Sequence, residues 1–347
     1  MTGVILLNFG EPARPIEAEV VPFLERIFAL NAALEGASSP EQASARSREL
    51  AIRRAPGLIA EYERIGGSPL NRQATRQAHA LRAELVRRGR PVRTYVGMQF
   101  TEPSIRAAAE AAHADGVERL IALPVYPLCG ASTTVAALHA LAVAIADLSL
   151  AVDVREITGW HTHPLYTALR AEGVREAAAA TGLDLASPRV RLVFSAHGTP
   201  LKYLREGNRY DVYVRDGCAR VAAAAGVRAF DIGYQNHTNR PVEWTQPAIE
   251  EVIDRIDAAA VIVVPISFMH EQSETLAELD IELRERAERR GLRFHRVPVP
   301  HDDPRFAAVL ADLVEERLAA PPVDLIDCRC RVSEGALCRN ATLGREG

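Results

Sequence analysis

Short apolar runs alternate along this chain with longer amphipathic segments. The amphipathic segments are rich in Ala, Leu, Glu and Arg and predict helices, for example over 104–114, 132–148 and 279–290. The run VIVVPI at 261–266 is apolar without alternation, which is typical of a strand covered on both faces. The predicted strands are 3–9, 92–99, 119–125, 151–157, 190–196, 229–234 and 258–266.

Strands that alternate with helices of ten or more residues predict βαβ units and a parallel sheet, so the fold class is α/β. Four predicted strands precede residue 158 and three or more follow it, although no residue-level repeat is visible. We therefore expect an N-terminal half over 1–157, a C-terminal half over 158–320 and a tail over 321–347. Two helical patterns within 30–65 predict an inserted flap over a cleft.

Composition narrows the function classes. The 347 residues carry a formal net charge of −4, which argues against a nucleic-acid-binding protein. No apolar stretch approaches the length of a membrane span and no signal peptide opens the chain, so we expect a cytoplasmic protein with at most peripheral membrane contact. We also expect a monomer or a homodimer. The glycine-rich phosphate-binding signatures are missing, and Lys202 is the only lysine available for Schiff-base chemistry.

His197 is the first candidate for chemistry. Ligands of open parallel sheets bind beyond the carboxyl ends of the strands. His197 follows the predicted strand 190–196 within FSAHGTP, where Gly198 and Pro200 form the turn. The alternative is a loop histidine that caps a helix, but the position at a strand exit favours a functional role.

A row of acids follows the last predicted strand. Glu274, Glu278 and Glu282 recur at i, i+4 and i+8, so they share one face of a helix. Taken alone, this row favours a solvated face compensated by Arg284 and Arg286. The alternative is a path that hands cations or protons along the carboxylates.

Polar and aromatic side chains also follow the other predicted strands. Each set alone is typical of loop packing, but several sets would converge on one sheet edge. The sets are Asn8–Phe9–Gly10, Tyr126–Pro127 with Ser132–Thr133–Thr134, and Tyr234–Gln235 with Trp244 and Pro247.

Seven motifs together resemble one family. They are LLNFGEP (6–12), VVPFLERIF (20–28), YERIGGSPL (62–70), VYP…STT (125–134), FSAHGTP (194–200), YQ…PVEWTQP (234–247) and ETLAELDIE (274–282). In order and spacing the chain resembles the ferrochelatases, which insert ferrous iron into a porphyrin during haem synthesis. The resemblance implies two Rossmann-like halves with a cleft between them.

The resemblance also implies roles for individual residues. His197 and Glu274 would face each other across the porphyrin as catalytic groups, and Fe(II) would contact His197, Glu274, Glu278 and Glu282. Imidazole can take up a pyrrole proton, and carboxylates suit transient Fe(II) and outgoing protons. With this resemblance the acid row favours the functional interpretation. The implied porphyrin-binding residues are Phe9, Tyr126, Ser132, Thr133 and Trp244.

The chain departs from the family pattern in its outer contacts. Glu271 and Gln272 stand where the family often has Asp-His, and Phe9 replaces a methionine or tyrosine after the first strand. GNRY at 207–210 replaces Gly-Asp-Pro-Tyr, and Gln99–Phe100 replaces Arg-Tyr. These differences leave the choice between protoporphyrin IX and coproporphyrin III open.

Five cysteines suggest a metal centre away from the cleft. Some ferrochelatases bind a [2Fe–2S] cluster through three C-terminal cysteines and one internal cysteine. Here Cys328, Cys330 and Cys338 form C-x-C-x7-C, and Cys129 lies in the internal YPLCGASTT segment. Four thiolates are what such a cluster needs, although the same ligands suit zinc and Cys218 could replace Cys129.

Two other functions stay open from the sequence. One is a chelatase of similar architecture that inserts cobalt or nickel into a different tetrapyrrole. The other is a non-enzymatic porphyrin or haem carrier, which would keep the cleft but lose the His197–Glu274 pair.

Overall fold

The computed structural model describes residues 1–30, 40–237 and 242–319. The strands are β1 Thr2–Asn8, β2 Arg93–Met98, β3 Arg119–Pro124, β4 Asp153–Glu156, β5 Val190–His197, β6 Phe230–Gln235, β7 Ala260–Pro265 and β8 Arg293–Arg296. The α-helices are α1 Glu17–Leu30, α2 Pro40–Ile65, α3 Leu70–Arg87, α4 Ile105–Ala114, α5 Ala136–Asp147, α6 Pro164–Thr181, α7 Leu201–Arg205, α8 Tyr210–Ala224, α9 Ile249–Arg255, α10 Arg284–Arg289 and α11 Pro304–Ala319. Two π-helical segments, Ala131–Val135 and Glu274–Leu283, precede α5 and α10.

The strands form two parallel four-stranded sheets of the same topology. The first sheet has the order β2-β1-β3-β4 and the second has the order β6-β5-β7-β8. The predicted α/β class with two similar halves is therefore confirmed, and all seven predicted strands are present. The sequence analysis missed β8, because its residues RFHR carry no apolar run.

Helices cover both faces of each sheet, which explains the unbroken apolar strands. All six residues of β7 are buried. Ile262 and Val264 pack into the core beneath α6 and α8, whereas Val261 and Val263 pack on the opposite face against α9 and α10. Each such side chain contributes roughly 1.5–3 kcal/mol to folding.

The last described helix returns to the first sheet. Phe306, Val309 and Leu310 of α11 pack with Leu6 of β1 and Ile121 of β3. The guanidinium of Arg88 on α3 is ion-paired with Asp312 and Glu315 of α11. The end of the chain thus ties the second half to the first, while the domain boundary expected at residue 158 stays a prediction.

Of the flap predicted over 30–65, the structure describes α2, which packs against α1 just before the predicted range. These helices pack on each other through Phe23, Phe28, Ala55 and Leu58 and form one wall of a cavity. The second predicted helical pattern thus begins at Pro40, and the first lies outside the described residues.

Two predicted helices differ from the structure in kind. Those predicted over 132–148 and 279–290 are each a π-helical segment followed by an α-helix, and the second π-helix begins five residues earlier than predicted. A π-helix accommodates extra residues in the turn and is frequent at functional sites. Apolar periodicity does not reveal these segments, because 5 and 10 residues are too few to distinguish the longer period of a π-helix from that of an α-helix.

The expected tail over 321–347, with Cys328, Cys330 and Cys338, lies outside the described residues. Within the described ranges, no helix combines the length and apolar character that crossing a membrane requires.

Candidate active site

Two adjoining cavities open beyond the carboxyl ends of the strands. The sheet-edge cavity, of about 800 Å³, is walled by residues such as Asn8, Tyr126, Tyr210 and Met269. The helix-covered cavity, of about 1190 Å³, lies under α1 and α2. Both volumes include space open to solvent and reach the size of sites for drug-sized ligands. The cavities share Phe9, Ser132, His197, Gly198 and Glu274.

His197 and Glu274 meet where the cavities join. The Nε2 atom of His197 lies 3.1 Å from Oε1 of Glu274. His197 ends β5, and the next residue must be glycine because a Cβ at Gly198 would lie 2.7 Å from the backbone oxygen of Gln235. Glu274 begins the π-helix that follows β7, so neighbouring strands of one parallel sheet bring the two side chains together.

A hydrogen bond of the second ring nitrogen, Nδ1, fixes the orientation of the His197 ring. Nδ1–H donates to the carbonyl oxygen of Gly198 at 2.5 Å. That bond assigns the proton of a neutral ring to Nδ1 and directs the lone pair of Nε2 towards Glu274 and the cavities. A neutral His197 can therefore accept a proton or bind a metal ion through Nε2.

His237 is a third group at this point and is not among the predicted site residues. Its Nε2 lies 3.5 Å from the same Oε1 of Glu274, and its ring centroid lies 5.3 Å from that of His197. Ligand atoms of His197, His237 and Glu274 all lie within 4.8 Å of one another. His237 could have been found in the sequence by its position two residues after β6, because the other candidates also lie at strand ends.

The His197–Glu274 pair is ionic in the substrate-free protein. Burial opposes the charged imidazole, but the Glu274 carboxylate outweighs it and raises the pKa of His197 to about 9. Burial also opposes charge on Glu274, yet the two imidazoles hold its pKa well below the usual range. His197 is therefore an imidazolium at neutral pH until something displaces its proton.

Glu278 lies behind Glu274 in a different protonation state. Burial and the negative charge of Glu274 raise the pKa of Glu278 to about 8. The Gln235 amide donates to Oε2 of Glu278 at 2.8 Å and to the backbone oxygen of Glu274 at 2.9 Å. Ser195 Oγ in turn donates to Gln235 Oε1 at 2.8 Å. Gln235 thus fixes two members of the acid row.

The acid row runs from the cavities to the surface. Glu274 lines both cavities, Glu278 lines the helix-covered cavity and an outer polar groove, and Glu282 lines that groove alone. Glu282 is half exposed and its carboxylate lies 3.0 Å from Arg64. The solvated-face interpretation therefore describes Glu282 but not the two inner residues.

The expected compensation by neighbouring arginines is wrong for this row. Arg284 pairs with Asp280, and Arg286 pairs with Asp254. The outermost acid is paired across the cleft instead, with Arg64 of α2 in the first half.

Glu11 also connects the two halves, and the sequence analysis assigned it no role. The Ser273 hydroxyl donates to Oε1 of Glu11 at 2.6 Å, and the Ser273 backbone N–H donates to Oε2 at 3.2 Å. The Ser68 hydroxyl donates to the same carboxyl group. Burial raises the pKa of Glu11, and the charge of Glu274 adds to this effect. The start of the π-helix, immediately before Glu274, is therefore anchored to the first half.

The expected porphyrin-binding residues all line the two cavities. Phe9 and Ser132 reach both, Tyr126 and Thr133 reach the sheet-edge cavity, and Trp244 reaches the helix-covered cavity. The Tyr126 hydroxyl donates to Gln99 at 2.8 Å. The Trp244 indole N–H is buried with no hydrogen-bond partner among the described residues. Their role in binding stays a prediction.

His270 lies in the wall of the sheet-edge cavity. It is 6% exposed and its Nε2 lies 2.9 Å from Oε1 of Gln77. Burial, with the nearby His301, lowers the pKa of His270 to about 3. The folded protein therefore keeps this ring neutral through mild acid.

His270 is expected to make folding acid-sensitive. Between pH 6.5 and 3 the unfolded chain binds a proton that the folded state rejects, so stability falls as pH falls below about 6.5. Urea unfolding of wild type and His270→Gln measures this effect. Between pH 7.5 and 5.5 the free energy of unfolding of wild type should fall by about 1.4 kcal/mol more than that of His270→Gln. Parallel pH profiles of the two proteins would contradict this expectation.

The internal cysteines lie in the core of the second half. Cys129 and Cys218 are both 0% exposed and belong to one apolar cluster with α6 and α8. Burial raises the pKa of the Cys218 thiol well above its usual value, as for a core cysteine. The three tail cysteines lie outside the described residues.

Comparison with known proteins identifies the family. The family model described as ferrochelatase matches residues 1–318. A ferrochelatase of Synechococcus sp. strain JA-2-3B'a(2-13) is 38% identical over 333 residues, which cover 92% of this chain and 94% of the relative. The chain belongs to the ferrochelatase family. A ferrochelatase of Thermosynechococcus vestitus is also 38% identical over 341 residues, covering 92% of this chain and 83% of the relative.

Solved structures agree with the fold. SirB from Bacillus subtilis with Fe3+ has a TM-score of 0.52 at 10% identity and covers 92% of this chain and 96% of its own. CbiX, described as the terminal enzyme for siroheme biosynthesis in denitrifying bacteria, has a TM-score of 0.51 at 16% identity and covers 92% and 99%. These chelatases share with this ferrochelatase-family chain the arrangement of two α/β halves.

Proposed function

We propose that His197 and Glu274 carry out the insertion of Fe(II) into a porphyrin, the haem-forming reaction of the ferrochelatase family. The observation that carries this proposal is the 3.1 Å contact between His197 Nε2 and Glu274 Oε1 at the junction of the two cavities. The contact leaves no room for a ring between the two side chains, so the expectation that they face each other across the porphyrin is wrong. A flat macrocycle in this junction would present one side of its centre to both groups. Phe9, Tyr126, Ser132, Thr133 and Trp244 would contact its periphery.

The reaction exchanges one cation for two protons. Fe²⁺ and a neutral porphyrin give the neutral iron porphyrin and two protons, and the iron keeps its oxidation state. A base must receive the pyrrole protons, and oxygen or nitrogen ligands must replace water on the metal before the ring nitrogens do. The imidazole and carboxylate at the junction provide both kinds of group.

Because His197 is protonated in the substrate-free protein, it becomes a base only after the metal ion arrives. In the substrate-free protein the Glu274 carboxylate keeps His197 protonated. A divalent cation at Glu274 would cancel that attraction and repel the imidazolium proton, since a bound cation reverses the local preference for positive charge. His197 would then release its proton, and its neutral Nε2 would bind the metal first and accept a pyrrole proton as the metal passes to the ring nitrogens.

Glu278 and Glu282 provide a route to and from the junction. The outer polar groove reaches Glu278, which also lines the helix-covered cavity, and Glu282 lies further out in the same groove. Iron and protons could thus pass along carboxylates on the π-helix. The half-exposed Glu282, paired with Arg64, marks the entrance of this route.

An anaerobic insertion assay tests the proposed function. Purified protein is mixed with Fe(II) and either protoporphyrin IX or coproporphyrin III, and haem absorption is followed over time. We expect haem to form at a rate proportional to enzyme with at least one of the two porphyrins. Tight porphyrin binding without haem formation would favour a carrier, and formation only with another metal and tetrapyrrole would favour a different chelatase.

We also propose that the protein binds a [2Fe–2S] cluster. Its support is the donor set: Cys129, Cys328, Cys330 and Cys338 supply the four thiolates that such a cluster takes. Cys129 is fully buried in the apolar cluster with α6 and α8, so its thiolate would bind a cluster inside that core. A bound cluster would act as a structural tie, distinct from the His197–Glu274 chemistry.

We expect the purified protein to be coloured without added porphyrin. Thiolate-to-iron charge transfer absorbs visible light, whereas a zinc site with the same ligands is colourless. Substituting Ser for Cys129, Cys328, Cys330 or Cys338 should bleach the protein, because each change leaves an iron under-coordinated. Cys218→Ser is the matched control and should keep the colour. An anaerobic preparation with no iron and no acid-labile sulfide would exclude the cluster and leave the chelatase function intact.

The cytoplasmic location, the monomeric or homodimeric state and peripheral membrane contact stay predictions.

A further inference from the structure

We infer that His237 is a third ligand for the incoming metal ion and forms, with His197 and Glu274, a two-histidine, one-carboxylate site. This inference rests on the proposed function and extends it to a residue that neither the sequence motifs nor the family comparison assigns. His237 lies in the loop after β6, two residues beyond Gln235.

The distances match those between ligands of one small cation. Metal–nitrogen and metal–oxygen bonds of roughly 2.0–2.2 Å place two tetrahedral ligand atoms roughly 3.4 Å apart. Oε1 of Glu274 lies 3.1 Å from His197 Nε2 and 3.5 Å from His237 Nε2. The ligand atoms of the three residues all lie within 4.8 Å of one another. A small rotation of the His237 ring would complete the site.

The two oxygens of Glu274 have different partners. The Gln272 amide donates to Oε2 at 2.7 Å, which holds the carboxylate plane. Oε1 faces both histidines, so one oxygen positions the carboxylate and the other points to the place where a cation would lie. Gln272 therefore acts as a positioning residue for this ligand set.

Aromatic rings define the orientation of both histidines. His237 packs edge-on against Trp244 at 5.6 Å between ring centroids, and His197 packs edge-on against Phe268 at 6.3 Å. The side chain of His237 is 43% exposed and that of Glu274 is 18% exposed, so core packing does not force the two together. The His237 ring therefore contacts solvent on one side and Glu274 on the other. A residue that binds a hydrated ion arriving from solvent needs both contacts.

The donor set selects a class of ion. Two imidazoles and one carboxylate with further positions open suit divalent first-row metals, Fe(II) in particular, and are poor for Mg²⁺ or Ca²⁺. The open positions would be available to the pyrrole nitrogens. The structure thus favours a metal that is captured by three side chains before the porphyrin nitrogens complete its coordination.

Co(II) binding in the absence of porphyrin tests this inference. The protein is titrated anaerobically with Co(II), with the three tail cysteines and Cys129 replaced by Ser so that thiolates contribute no signal. We expect one Co(II) per chain with visible d–d bands. His237→Ala should weaken the affinity at least about tenfold, which corresponds to about 1.4 kcal/mol. His237→Asp should restore part of it, and the exposed His113→Ala should have no effect.

Iron insertion separates this inference from the function on which it rests. With the wild-type cysteines, His237→Ala should raise the KM for Fe(II) while porphyrin binding, measured by fluorescence quenching, stays unchanged. If wild type forms haem but His237→Ala binds Co(II) as wild type does, the third ligand is wrong and the function stands. If wild type forms no haem from any porphyrin, the proposed function fails, whatever the Co(II) result.

Discussion

His197→Ala is expected to lower the rate of iron insertion by at least about 100-fold, the range typical of a positioned acid–base group. The substitution removes the Nε2 atom that lies 3.1 Å from Glu274 and therefore both the proton acceptor and one metal ligand. It also removes the positive charge that keeps Glu274 ionised, so a larger share of the protein carries a neutral Glu274.

The measurement for His197 is haem formation at saturating Fe(II) and porphyrin, with porphyrin affinity determined separately by fluorescence quenching. Affinity should change little, because the two cavities are lined mainly by other residues. His139→Ala, at an exposed position of α5, is the matched control and should keep full activity. Near-normal turnover in His197→Ala would remove this residue from the mechanism.

The acid row should respond to substitution in order of depth. Glu274→Gln should be the most damaging, with a loss of at least about 100-fold, because both histidines depend on the same Oε1. Glu282→Gln should have the smallest effect, since its side chain is half exposed and its partner Arg64 is also on the surface.

Glu278→Gln should have an effect that depends on pH. With a pKa of about 8, the Glu278 carboxyl is about nine-tenths protonated at pH 7 before metal arrives, and glutamine resembles that neutral form. The apparent KM for Fe(II) should therefore rise modestly at pH 7 and more above pH 8, where only wild type gains a carboxylate. Michaelis–Menten series at pH 7 and 8.5 for the three variants measure this. Equal and mild effects at all three positions would support a solvated face instead.

The expected effects of His197→Ala and Glu274→Gln, and the inference about His237, all depend on one atom, Oε1 of Glu274. Oε1 of Glu274 lies within 3.5 Å of the Nε2 atoms of both histidines, and Glu11, Ser273, Gln272 and Gln235 fix the segment that carries it. These contacts come from both halves of the chain. The first half therefore helps, through Glu11, to hold the segment that carries Glu274.

The sequence by itself determined the α/β class, seven of the eight described strands and two residues, His197 and Glu274, that meet where the cavities join. The reason is that strand burial and strand-end position are local: the apolar run of β7 and the turn after His197 can be recognised without knowing any neighbour. The motif order then indicated the ferrochelatase family, and the comparisons confirmed it. Local patterns also placed Glu274, Glu278 and Glu282 on one helical face.

Only the tertiary structure decided how these parts meet. His237 and Glu274 are 37 residues apart and Glu11 and Ser273 are 262 apart, so no local periodicity reports their contacts. The return of α11 to the first sheet and the pairing of Arg64 with Glu282 depend in the same way on the assembled halves. Protonation of the site is also tertiary, because the pKa values of His197 and Glu278 are set by burial and by charges that folding places beside them.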